Sequence, residues 1–132
     1  MKWDVVPSND ELTLLMEAGL IYRDYGKYQE ARDIFSGVRA LLPQSDVPEV
    51  FLGTVYMQEG DYSTAQKHYQ RALENNPKSA FAYTHMGELN LVQKKEADAR
   101  ANLKKAIELD PRGDYGKTAR GLLELADIAR FD

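Results

Sequence analysis

The side chains best suited to chemistry in this chain are two histidines and one glycine-rich stretch. His68 and His85 are its only histidines. They fall in different helical segments with no metal-ligand spacing between them, and zero cysteines exclude thiolate sites. His68 is expected on the outer face of its helix, and His85 at the edge of an inner groove. Gly113-Asp114-Tyr115-Gly116-Lys117-Thr118 has the ending of a phosphate-binding loop. Such a loop needs a glycine five residues before its Gly-Lys-Thr, where this chain has Pro111, and a strand ahead of it. Neither condition is met, and Asp114 or Thr118 is better read as starting a helix. Glu30, Asp33, Glu96, Asp98 and Glu108 are interspersed with Lys and Arg, the pattern of a solvated helix face. No nucleophile motif appears. The sequence therefore predicts no enzyme, no catalytic residue, no metal and no cofactor.

Composition narrows the class further. The 132 residues suit one domain, 1–132, and 43% hydrophobic with 29% charged residues is ordinary for a folded chain. A net charge of −4 argues against nucleic acid as a partner, since phosphates call for a basic surface. No apolar run approaches the roughly 20 residues that span a bilayer. Met1-Lys2-Trp3-Asp4 turns polar at once, unlike a secretory leader. A cytoplasmic location is the expectation, with oligomeric state open.

The elements that position these residues follow from a period. Pro43, Pro77 and Pro111 are spaced 34 residues apart, and each closes a similar stretch. In that register Ala18-Gly19 recurs as Leu52-Gly53 and Met86-Gly87, and Tyr22 as Tyr56 and Asn90. Further on, Ala31, Ala65 and Ala99 align, then Phe35, Tyr69 and Leu103, then Val38, Ala72 and Ala106. Spacings of three and four place each set on one helical face. Gly26 and Gly60 break the chain between two such segments, so each unit reads as helix–turn–helix. Ser8 to Glu11 has the capping-box form, Pro48 suits a first helical turn, and each periodic proline ends a helix. Units of about 10–45, 46–79 and 80–113 result. A seventh helix over about 114–130, with Tyr115, Ala119, Leu122, Leu123 and Ala126 on one side, is expected to cover the end of the stack.

These residues resemble the tetratricopeptide repeat. Leu52, Gly53, Tyr56, Ala65, Tyr69, Ala72 and Pro77 match its pattern most fully. Gly19, Tyr22, Ala31, Phe35 and Pro43 match in the first unit, and Tyr83, Gly87, Ala99, Ala106 and Pro111 in the third. Lys94-Lys95-Glu96 departs from it, standing where the other units have Gly-Lys-Tyr and Gly-Asp-Tyr, so a wider or strained turn is expected there. The resemblance implies an all-α, right-handed solenoid of three hairpins with a C-terminal capping helix. Tyr22, Phe35, Tyr56 and Tyr69 are then core.

In that family the first helix of each unit lines a concave groove that holds peptides. Carried over, the groove residues are Met16, Leu20 and Arg23, then Val50, Thr54 and Met57, then Phe81, Thr84, His85, Glu88 and Leu91. The set is apolar for a surface, which suits an interaction site rimmed by Glu17, Arg23, Asp24 and Glu88. Packing between repeats is the alternative use of such residues, with Phe51 and Val92 the first candidates. A family subgroup grips chaperone C-termini with paired Lys, Asn and Arg. At those places this chain has Met16, Leu20, Val50, Thr54, Phe81 and His85, so that partner class is not expected. Small chains of this layout also resemble the cytoplasmic chaperones of type III secretion. The implied function is a protein-binding module that masks a helical or extended segment of a partner. The alternatives are a scaffold for an envelope or pilus complex, or self-association with Trp3-Val5-Val6 in the groove.

Overall fold

The computed structural model describes residues 7–129. Among them are seven helices and no strand: α1 (Asn9–Asp24), α2 (Tyr28–Leu41), α3 (Val47–Glu59), α4 (Tyr62–Asn75), α5 (Ala80–Val92), α6 (Glu96–Leu109) and α7 (Asp114–Ile128). Consecutive pairs form three antiparallel hairpins, and α7 packs on α5 and α6. It occupies the place of the first helix of a next hairpin. Residue 130, the expected end of α7, lies outside the described residues, as does the Trp3-Val5-Val6 segment.

Local chemistry sets the helix ends. Ser8 and Glu11 form the full capping box at α1. Asp61 Oδ1 accepts from Thr64 N at 3.2 Å, and Ser79 Oγ from Ala82 N at 3.0 Å, giving α4 and α5 their first-turn partners. Pro48 lies in the first turn of α3. Helix α7 begins at Asp114 after an N-cap Gly113 that makes no side-chain cap. Instead Asp110 Oδ2 reaches over Pro111 to accept from Tyr115 N at 3.1 Å. Gly116, the glycine of the loop-like stretch, packs so closely on the Asp110 carbonyl that no Cβ would fit. Its role is packing, not phosphate binding.

The turn that departs from the repeat keeps the same backbone. Gly26 and Gly60 have φ of 76° and 87°, and Lys94, in register with both, has φ of 60°. The third turn is not wider. Lys94 takes a left-handed conformation that costs a side-chain-bearing residue roughly 1–2 kcal/mol.

The core lies between the two helices of each hairpin and between hairpins. Ala31, Ala65, Ala99, Phe35, Tyr69, Leu103, Val38, Ala72 and Ala106 are all buried. Each large residue of the middle set lies on a glycine of the first helix: Phe35 on Gly19, Tyr69 on Gly53, Leu103 on Gly87. Two tyrosines depart from expectation. Tyr22 is 39% exposed, whereas Tyr56, its equivalent, is half-buried between the His68 ring at 5.3 Å and the Arg32 guanidinium at 5.4 Å. Arg32 comes from the preceding hairpin, and Tyr22 has no preceding hairpin among the described residues. The aromatic is buried by its neighbour rather than by its own unit.

Candidate functional site: the inner helical layer

Helices α1 and α5 both touch α3, whereas α2, α4 and α6 make no contacts with one another among the described residues. First helices are thus closer together than second helices, which curves the stack with α1, α3 and α5 on its inner side. The 34-residue register arranges their inward residues in rows. Arg23, Met57 and Leu91 make one, Leu20, Thr54 and Glu88 the next, and Met16, Val50 and Thr84 a third.

Inter-hairpin packing closes part of this face. Val50 is 0% exposed and Phe81 8%, and Thr54 and Thr84 are buried as well. These four expected groove residues are therefore not presented to a partner. The reason is a run of rings along the stack. Phe35 stacks on Phe51 with centroids 5.2 Å apart, Phe51 meets Phe81 edge-on at 5.3 Å, and Phe81 stacks on Tyr115 at 4.9 Å. Such contacts contribute about 0.5–1.5 kcal/mol each beyond area burial. The run ties all three hairpins to α7, and Phe51 packs between hairpins as expected. Val92, its companion in that expectation, is instead exposed. Thr54 and Thr84 turn their hydroxyls back to helix carbonyls, at Phe51 O (2.7 Å) and Ala80 O (2.8 Å).

Half-buried residues remain accessible on the inner layer: Met16, Leu20, Arg23, Met57, His85, Glu88 and Leu91. The polar members are tied down. Arg23 Nη1 donates to Thr54 Oγ1 at 2.8 Å, crossing from α1 to α3, and Arg23 Nε meets Asp24 Oδ1 at 2.9 Å. The Arg23 hydrogen bond holds the Asp24 carboxyl below its ordinary value. His85 Nδ1 lies 3.3 Å from Glu88 Oε1, and its ring meets Phe81 edge-on at 5.1 Å. Arg23 is the one permanent cation among the expected groove residues. The inner face is therefore an apolar strip of Met16, Leu20, Met57 and Leu91 interrupted by fixed polar pairs. Beneath it lies the Tyr69 hydroxyl, fully enclosed and without a hydrogen-bond partner among the described residues.

His68 does not lie on the outer face where it is expected. Rather than facing outward it is buried between α3 and α4, with Nδ1 2.8 Å from Glu49 Oε2, and Glu49 Oε1 lies 3.6 Å from Arg39 of the first hairpin. The register held the signal. Glu49 and His68 occupy the positions of Leu15 and Ile34, an apolar pair in the first unit. A position apolar in one repeat is an inward position in the next. No group of three or more His, Asp or Glu able to hold a metal occurs among the described residues. None of their helices is long and apolar enough to cross a membrane.

Comparison with known proteins agrees with this geometry. Residues 52–114 match the tetratricopeptide repeat family, and the hairpin ahead of them repeats the same packing. The chain has the fold of tetratricopeptide repeat domains, an all-α helical solenoid. The Yersinia enterocolitica type III secretion translocator chaperone SycD superposes with a TM-score of 0.77 at 21% identity, covering 92% of each chain. In complex with a peptide of the translocator YopD, SycD gives a TM-score of 0.71 at 22% identity, over 92% of this chain and 95% of that one. The second such domain of human RPAP3, bound to the HSP70 peptide SGPTIEEVD, gives 0.67 at 16% identity, over 88% and 98%. No curated protein matches the chain by sequence.

Proposed function

We propose that the inner layer of α1, α3 and α5 holds an apolar segment of a partner protein, in the manner of a small cytoplasmic chaperone. The observation that supports this most is the strip of half-exposed Met16, Leu20, Met57 and Leu91 on a face whose polar groups are already paired. Apolar anchors three, four and seven residues apart on a partner helix would meet such a strip, and methionines let it adapt in shape. An acidic tail such as SGPTIEEVD is a poor fit. Its carboxylates would find only Arg23, already held by Asp24 and Thr54, and would face Glu88. The likeness to SycD, which is seen with a translocator peptide, favours the masking of an aggregation-prone secreted subunit over a scaffold role.

Co-purification from the native host tests this with three chains: wild type, Met57→Glu/Leu91→Glu, and Lys104→Glu on exposed α6. The reading requires a partner retained by wild type and Lys104→Glu and lost from the double variant, whose helicity and melting stay near wild type. A partner retained equally by all three contradicts it.

A further inference from the structure

Charge is divided unevenly between the two helical layers. Glu49 and Glu59 of α3 are met by Arg39 and Arg32 of α2. The other acidic residues of α1, α3 and α5 are Asp10, Glu11, Glu17, Asp24 and Glu88, and Arg23 is the only Lys or Arg in these helices. The second helices mix both signs, as where Lys105 lies 3.6 Å from Glu108. Arg23 makes its hydrogen bonds to Asp24 and Thr54 rather than to Glu88. Glu88 meets His85 Nδ1 through Oε1, and its Oε2 has no partner among the described residues. The Tyr69 hydroxyl comes up under the same place. Tyr69 is 0% exposed, its hydroxyl has no hydrogen-bond partner among the described residues, and the charges acting on it are those of Glu88 and Arg23. Its ring lies on Gly53 and stacks at 6.2 Å on His85, the partner of Glu88.

We infer, on the reading of this face as the binding surface, that the segment it holds is basic and that one of its lysines sets an ammonium between Glu88 Oε2 and the Tyr69 hydroxyl oxygen. A buried hydroxyl without a partner is costly, and binding is the event that completes it. An ammonium carries three donors and no acceptor, so it serves a carboxylate and a phenol oxygen at once. A guanidinium fork calls instead for both oxygens of a carboxylate, and one oxygen of Glu88 is taken. The apolar stem of the lysine covers Met57 and Leu91 on its way in. Met57, packed against the cluster that contains Tyr69, is the flexible side chain that makes way.

Titration of a fluorescein-labelled amphipathic peptide, a leucine stripe flanked by lysines, tests this against the same peptide acetylated on every lysine. Acetylation keeps the stem and removes the charge. Wild type should bind the lysine form at least about tenfold more tightly, the yield of one charge-assisted hydrogen bond, with the gap narrowing in molar salt. Glu88→Gln and Tyr69→Phe, both near-isosteric, should keep their helicity, remove most of that preference and bind the acetylated form as wild type does. Glu108→Gln, the same loss of charge on α6, should leave the preference intact. Equal or tighter binding of the acetylated form overturns the basic partner and leaves the apolar strip standing. So does a preference untouched by Glu88→Gln or Tyr69→Phe, or one that Glu108→Gln reduces as much. Binding of neither form by wild type overturns the apolar strip as well.

Discussion

Phe35 lies across Gly19 so closely that a Cβ on the glycine would fall 2.6 Å from the ring tip. Tyr69 on Gly53 and Leu103 on Gly87 repeat the contact with no more room. These three pairs join the helices of each hairpin, and the glycine is required by space, since all three lie inside helices with ordinary backbone angles. Gly19→Ala, Gly53→Ala and Gly87→Ala are each expected to destabilise by about 1–3 kcal/mol through overpacking. Gly121→Ala, in helix α7 with nothing within 4 Å, is expected to stabilise by about 1 kcal/mol through helix propensity alone. Urea denaturation of the four variants checks both signs.

Lys94 makes the opposite prediction. It holds the left-handed position that Gly26 and Gly60 fill in the other turns. Lys94→Gly should stabilise the fold by about 1 kcal/mol, and Gly60→Ala should destabilise it by a similar amount. Thermal melting of the two variants separates a strained turn from an indifferent one.

Tyr69 holds an enclosed hydroxyl with no partner among the described residues, at the position where the first hairpin uses Phe35. An unsatisfied buried polar group costs about 1–3 kcal/mol, so Tyr69→Phe should stabilise at neutral pH. Burial raises the Tyr69 phenol well above its ordinary value of 10.0, with the Glu88 charge adding to it and Arg23 opposing. The folded chain therefore keeps this proton when the unfolded chain has lost it. The resulting stability is whole below pH 10 and is lost as pH rises toward the folded value. Melting temperature should fall above pH 10 in the wild type and fall less in Tyr69→Phe. Tyr115, raised by burial and then by Asp46, Asp110 and Asp114, leaves the variant a residual slope.

Glu49 and His68 form a buried pair where the first hairpin has Leu15 and Ile34. Glu49→Leu alone strands the imidazole and should cost about 1–3 kcal/mol. Glu49→Leu/His68→Ile copies the first hairpin and should recover most of that loss, because no polar group is left unpaired. A double-mutant cycle in urea reads the coupling, and additive losses would mean the pair is independent.

Much of this was legible because a repeat shows each position three times. Ala31, Ala65 and Ala99, and the large residue four places beyond each, are recognisable as core from the register and are fully buried. The register gives a residue's place within its unit, but not which neighbours the unit has. Tyr22 is exposed and Tyr56 half-buried for that reason alone. Val50 and Phe81 were expected on the open face because first helices line it. Phe51 and Tyr115 cover Phe81 through contacts between hairpins and with α7 that no local pattern encodes. The same burial means that acidic substitutions at Val50 and Phe81 would unfold the chain, so they cannot probe binding. Met57 and Leu91 can.

A photo-crosslinking amino acid placed at Met57, and separately at Lys104, tests the inner face most directly in the living host. A discrete crosslinked partner is expected from Met57 and none from Lys104. Crosslinks from Lys104 with none from Met57 would move the binding surface to the second helices and contradict it.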